Sequence, residues 1–199
     1  LLMLAMARDV LSALARCQGL TGVLIVSRTV EADALAQTFG TERFAESPDA
    51  DLSEALTQAR DYLMETLHAK GVMIVPADVP LISAEEIDAL LTAHESVTIL
   101  PDDEHLGTNG LVCSPPDIIR FVFDGRSFRP HTDAAFAAGV TPRIVPSTRF
   151  ALDVDTPDDL RALLDANPET QTGTYLVKSG IARRLADAHN ASSGSSTCL

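Results

Sequence analysis

Apolar positions recur at three- and four-residue steps near the start of the chain, where Met3, Met6, Val10, Leu14 and Cys17 share one face and predict a helix. The period then changes. Gly22 to Ser27 is almost wholly apolar and rich in β-branched residues, which predicts a strand buried on both faces. A helix over Glu31 to Phe39 and a short strand over Thr41 to Ala45 follow. Turn chemistry at Ser47-Pro48-Asp49 leads into a long helix, Asp51 to Ala69, with Leu52, Leu56, Leu63 and Leu67 on its apolar face and Gly71 as its expected stop. Val72 to Val75 predicts a second buried strand with the loop Pro76 to Pro80 at its C-terminal end. Ser83 is read as the cap of the next helix, Glu86 as the other half of a capping box, and Ile87, Leu90 and Leu91 as its apolar face.

Val97 to Leu100 predicts a third strand, Pro101 to Asn109 a polar loop, and Gly110 to Cys113 a further strand. Pro115-Pro116 is expected to start a short helix, and another is expected after Phe123 to Phe128, ending near Gly139. Arg143 to Val145 and Phe150 to Val154 predict the last strands, and Thr156-Pro157-Asp158-Asp159 caps a helix through Leu164. Strands alternating with helices imply an α/β domain whose sheet is mostly parallel and covered on both faces. That domain is assigned to residues 1–165. Order weakens from Asn167: the extension 166–199 is expected to hold one amphipathic helix, Lys178 to Ala188, and a low-complexity, mobile tail from Asn190. Because the first helix begins at Leu1, the strand and phosphate-binding turn that usually precede such a helix are expected upstream.

Composition narrows the function. The 199 residues carry 15 Lys and Arg against 28 Asp and Glu, a formal charge of −13, which argues against a protein gripping nucleic acid or an anionic membrane through its net field. An anionic substrate would need a metal or a local cationic patch. Cys17, Cys113 and Cys198 are odd in number and lack paired spacing, which fits a reducing cytoplasm. No apolar run approaches the roughly 18–20 residues of a membrane helix. No G-x-S-x-G elbow, H-E-x-x-H helix or Walker loop occurs.

Ligands of open α/β sheets bind at the carboxyl ends of strands, and three carboxylates fall there. Asp78 follows the strand Val72 to Val75, and Asp153 and Asp155 bracket Val154, so the period of two sets them on one face, as two oxygen ligands of magnesium require. The plainer reading makes Asp78 a turn residue and Asp155 an aid to the Thr156 cap. Asp153, inside the apolar run Phe150-Ala-Leu-Asp-Val, is costly unless paired or metal-bound. Gly107-Thr108-Asn109 and Gly125-Arg126-Ser127 combine a permissive glycine with donors suited to phosphate or carboxylate. Arg126, Arg129 and His131 form a local cationic cluster. His68, His94, His105 and His189 read as surface residues, and Cys113 as core.

Taken in order, Val75-Pro-Ala-Asp-Val-Pro-Leu81, Leu106-Gly-Thr-Asn-Gly-Leu111, Phe123-Asp-Gly-Arg-Ser-Phe128 with His131, and Leu152-Asp-Val-Asp-Thr-Pro-Asp-Asp-Leu160 resemble the CofC-type 2-phospholactate guanylyltransferases of coenzyme F420 biosynthesis. The resemblance implies a GT-A-like α/β/α sandwich and attack of a phospho-acid on GTP with loss of pyrophosphate, the acid being 2-phospholactate, phosphoenolpyruvate or 3-phosphoglycerate. It also implies Asp78, Asp153 and Asp155 as catalytic magnesium ligands, and Thr108, Asn109, Asp124, Gly125 and Ser127 as the acid-binding set. GTP and the acid are then the partners, without nucleic acid or membrane, and a homodimer is the assembly envisaged. Two departures stand out: Asp49-Ala-Asp-Leu-Ser53 replaces a glycine-rich element associated with guanine, and Asp124 replaces a glycine. Transfer to a sugar phosphate or molybdopterin is the alternative within this class, and a non-catalytic nucleotide-binding or partner subunit is the alternative outside it.

Overall fold

The computed structural model describes residues 1–166 and 169–193. Helix α1 (Leu2–Leu14) buries Met6, Val10 and Leu11, and Leu14 and Cys17 pack half-buried against the core, so of the predicted stripe only Met3 is exposed. Strand β1 (Leu24–Val26) pairs in parallel with β2 (Glu42–Phe44) across α2 (Glu31–Phe39), which stops at Gly40 in the left-handed conformation, φ 63°. Asp51 caps α3 (Leu52–Leu67) by accepting from the Glu54 N–H at 2.8 Å. Leu52 and Leu67 are exposed at the two ends of α3 and the buried residues are Ala55 and Ala59. His68, at φ 53°, ends this helix ahead of the expected stop at Gly71.

A four-stranded sheet follows, with β3 (Val72–Ile74), β4 (Val97–Pro101), β5 (Thr108–Cys113) and β6 (Arg143–Ile144) in the order β3-β5-β4-β6. The sheet is mixed, because β5 runs antiparallel to both neighbours while β4 and β6 are parallel. The reason is the connection: β4 reaches β5 through a short loop without a helix, and such a loop can only reverse the chain. Strands β4 and β5 are buried throughout, whereas β1 and β3 are only half-buried. In the four-stranded sheet β3 is an edge, and β1 has a single strand neighbour.

Alternation along the strands divides the core into two layers. Val97 and Ile99 of β4 pack with Leu111, Cys113, Phe121 and Ala135 on one face. Leu100 packs on the other with Val10, Ala13, Ile87, Leu90 and Phe150. Each of the larger side chains among them, Val, Leu, Ile or Phe, contributes about 1.5–3 kcal/mol by leaving water. Helix α4 (Ala84–Thr92) and α1 thus cover one face, and α5 (Phe128–Ala137) covers the other, giving an α/β/α sandwich.

Two predicted elements are replaced. Pro115-Pro116 lies in bends and turns after a cis Ser114–Pro115 peptide, with no helix. Phe150 to Val154 is not a strand: Ser147 caps the one-turn helix α6 (Thr148–Ala151), and residues 152–155 are irregular, without sheet pairing. Helix α7 (Pro157–Ala166) follows, and then two helices, α8 (Gln171–Lys178) and α9 (Ile181–Ser193), stand where one was predicted. Asp9 of α1 accepts from the N–H groups of Gln171 and Thr172, both at 2.8 Å, and Leu176 of α8 is buried with Met6, Val154 and Leu163. Of the segment read as low-complexity, residues 190–193 belong to α9, and residues 194–199, like Asn167 and Pro168, lie outside the described residues.

Candidate active site

The carboxyl ends of β3, β4 and β6 share one edge of the sheet, and the start of β5 lies there because β5 runs the other way. This places Asp78, the loop 102–107, Thr108 and Asn109 along one border. Asp78 sits in a turn, as its proline neighbours suggested, and its backbone oxygen accepts from the Val154 N–H at 3.0 Å. That bond brings the 152–155 segment alongside. Val154 points into the core, and Asp153 and Asp155 point outward together, so the expected common face holds although the strand does not.

Asp78 Oδ1 is buried and has no hydrogen-bond partner. Burial, followed by the charges of Asp153 and Asp155, pushes its pKa up against an opposing backbone hydrogen bond. Burial likewise raises Asp153, reinforced by Asp155 and Asp102 and opposed by its own backbone and the Asn109 side chain. The Thr156 cap is closed by Asp159, not Asp155: one Asp159 carboxylate oxygen accepts from the Thr156 N–H at 2.7 Å and its hydroxyl at 2.8 Å.

Asp102 organises the polar loop by accepting from the N–H groups of Leu106 at 2.8 Å and Gly107 at 2.7 Å. A Cβ on Gly107 would lie 2.8 Å from Asp102 Oδ2, so the close approach needs glycine. Gly125 turns at φ 82°, and Asp124 accepts from the Arg126 N–H at 3.0 Å. The Phe128 N–H donates to Leu106 O at 3.0 Å, which ties this loop to the first. Ser127 is 2% exposed and its hydroxyl does not cap α5. Thr108 Oγ1 lies 3.0 Å from His131 Nδ1, and Asn109 Nδ2 donates to Phe150 O at 2.9 Å.

His131 is fully buried and belongs to no cationic cluster; Arg126 and Arg129 are exposed, and Arg129 faces Asp133. His94 is half-buried between Thr98 and Ser114, at 2.9 and 3.1 Å, and is not the surface residue expected. Glu86 does not close its capping box, since its carboxylate accepts from the Ser147 hydroxyl instead. Cys113 is buried in β5, and burial pushes its thiol up to about 12, against a nucleophilic role.

A cleft of about 830 Å³ opens beside these loops. Asp153 and Asp155 line it with Asp102, Asp103, Glu104 and Asp159, and Arg149 is the one cationic side chain among its lining residues. Asp78, Thr108, Asn109, Asp124, Gly125 and Ser127 are not among them. Sequence reading missed Asp102, Arg149 and the bonding role of His131; the acidic run directly after β4 was the available signal for the first. Among the described residues no three His, Cys, Asp or Glu side chains already stand as a metal cage. The donor chemistry nevertheless suits a hard cation, because a buried unpartnered carboxylate oxygen lies within the electrostatic reach of two further carboxylates.

Solved structures define the fold. The chain superposes on a protein described as a nucleotide-diphospho-sugar transferase from Desulfovibrio desulfuricans G20, with TM-score 0.71, 19% identity, and coverage of 91% of this chain and 82% of that one. It also matches a 4-diphosphocytidyl-2C-methyl-D-erythritol synthase at TM-score 0.62 and 14% identity, over 79% of this chain and 87% of that one. The fold is that of the nucleotidyltransferases. Within them, the chain belongs to the guanylyl transferase CofC-like family, whose model matches residues 1–193. The phosphoenolpyruvate guanylyltransferase of Conexibacter woesei is 36% identical over 80% of this chain and 73% of its own length. The 2-phospho-L-lactate guanylyltransferase of Methanocaldococcus jannaschii is 30% identical over 90% of this chain and 77% of its own. The protein is therefore an enzyme, a nucleotidyltransferase of the guanylyl-transferring kind. Among the described residues, no helix is long and apolar enough to cross a membrane.

Proposed function

We propose that the enzyme transfers the guanylyl group of GTP to the phosphate of a three-carbon phospho-acid, releasing pyrophosphate, as a cytoplasmic step of coenzyme F420 biosynthesis. The observation that carries this reading is the grouping of Asp78, Asp153 and Asp155 at the sheet edge beside the Thr108 and Ser127 loops, in a chain of this family. An oxygen of the acid's phosphate attacks the α-phosphorus of GTP. The bond from that phosphorus to the bridging oxygen breaks, and the electron pair leaves with pyrophosphate.

Asp78, Asp153 and Asp155 would hold magnesium, which supplies charge neutralisation for phosphate oxygens. Such an ion is typically held by one or two carboxylates together with substrate phosphates and waters. The chain's own residues position and select. Arg149 meets anionic substrate in the acidic cleft, Asn109 orients Asp153 while anchored on Phe150, and Thr108 and Ser127 present hydroxyls to the acid. Little covalent chemistry is required of the protein in such a transfer, so placement and charge carry the rate.

The test incubates the protein with GTP, magnesium and, separately, phosphoenolpyruvate, 2-phospho-L-lactate or 3-phosphoglycerate. Pyrophosphate release with one acid, dependent on both GTP and magnesium, is the expected result. Silence with all three, alongside turnover of a sugar phosphate, would replace the reading with the related sugar-nucleotide activity.

A further inference from the structure

We propose that His131 is a positioning residue that fixes the Thr108 hydroxyl as a hydrogen-bond donor toward the phospho-acid and joins the two substrate loops. The inference rests on the acid-binding role proposed for Thr108. Its core is the pair of partners on the imidazole. The backbone N–H of Val122 lies 3.0 Å from His131 Nε2, and a backbone N–H can only donate. Nε2 must therefore present its lone pair, so a neutral ring carries its proton on Nδ1.

Thr108 Oγ1 is 3.0 Å from Nδ1 and consequently accepts that proton's hydrogen bond. The hydroxyl's own hydrogen is directed away from the ring. The opposite tautomer would consume that hydrogen and present only oxygen lone pairs to an anion that can itself only accept. The ring is held in place by full burial and by the edge-on ring of Phe123, 4.8 Å away between centroids. Burial pushes its pKa down to about 4, against the opposing charge of Asp124, in keeping with a neutral ring. Because Val122 precedes the 123–128 loop and Thr108 begins β5, one side chain sets the register of both loops.

Two measurements test this. In the unaltered chain, ¹⁵N spectra of labelled histidine, with the His131 signals identified by their loss in H131Q, should show a proton on Nδ1 and none on Nε2 at pH 7. A proton on Nε2 overturns the proposal.

Kinetics supply the second measurement. In H131Q the longer amide retains an acceptor for Val122 and loses the donor to Thr108; in H131N the shorter amide does the reverse. H131Q should raise KM for the acid about tenfold to a hundredfold, the worth of one hydrogen bond to a charged group, and leave KM for GTP unchanged. H131N should bring the acid KM back toward the original. Equal effects of the two variants, or acid and GTP KM rising together, overturn the proposal. Lack of turnover in the unaltered chain instead removes the guanylyl-transfer reading, and with it the acid at Thr108, whereas the tautomer measurement judges the His131 bonding separately. If H131Q does not fold, H131N identifies the signals and the tautomer decides.

Discussion

Replacing Asp78 by Asn removes a negative charge from a place where the metal-free fold does little to support it. One carboxylate oxygen is buried without a partner, and burial together with Asp153 and Asp155 raises the group's pKa. For a carboxylate so raised, stability is fully present below the ordinary value of 3.8 and is lost as pH rises through the higher folded value. At pH 7 the ionised group therefore weighs against the fold. A buried polar group without a partner costs about 1–3 kcal/mol; Asp78 is only half-buried and Asn still leaves an amide there, so about 1 kcal/mol is the relief expected. That corresponds to roughly 2–4 °C in Tm for a chain of this size.

Calorimetry in EDTA should therefore find D78N melting about 2–4 °C above the original at pH 7, with the gap closing as pH is lowered toward 4. Magnesium at ten times its Kd should stabilise the original chain by about 1.4 kcal/mol, roughly 3–6 °C, and D78N by much less. The opposite pattern, with D78N melting lower in EDTA and keeping the full magnesium shift, would refute the reasoning on both counts.

Three further outcomes follow from single contacts. R149Q removes the cation from the lining of the acidic cleft and should raise KM for GTP about tenfold in the pyrophosphate assay; an unchanged KM places the triphosphate elsewhere. G110A puts a Cβ 2.9 Å from Leu100 Cδ1 and 3.2 Å from Phe150 Cδ1, overpacking worth about 1–3 kcal/mol, which should appear as a lower Tm and, through the Asn109 contact with Phe150, as lower activity. D9A deletes the acceptor for Gln171 and Thr172, including the Thr172 hydroxyl at 2.6 Å, and should cost about 1–2 kcal/mol, with faster hydrogen exchange concentrated in α8.

Much of this arrangement was legible where local chemistry decided it. The helix Glu31–Phe39 has acids in its first turn and glycine after its last, and it forms with the predicted bounds. Two of the misreadings turn on partners distant along the chain. Phe150 to Val154 alternates like a strand, but Ser147 caps a helical turn through Phe150, and the irregular remainder bonds at Val154 to Asp78. The alternation nonetheless put Asp153 and Asp155 on one side, because Val154 between them is drawn into the core while both aspartates line the cleft. His131 read as a charge beside two arginines because nothing local reveals a partner 23 positions away in Thr108. The antiparallel course of β5 was in reach: a short polar loop with no intervening helix already forbids a parallel crossover.

The acidic balance of the chain bears directly on how the proposed site works. Six carboxylates and one guanidinium line the cleft, so a triphosphate entering alone meets repulsion of about 1 kcal/mol per unit charge at 4 Å in water and about 4 kcal/mol where the effective dielectric falls to 20. A divalent cation reverses the sign of that interaction, yet the protein holds no finished cage of three groups among the described residues. Magnesium typically completes its coordination with phosphate oxygens and water. On the proposed reading cation and GTP each supply what the other lacks, and linkage requires the effect to be reciprocal: GTP tightens magnesium by the same factor as magnesium tightens GTP. On the same reading the negative charge of the cleft serves as a filter, admitting a nucleotide with its counter-ion and repelling the bare anion.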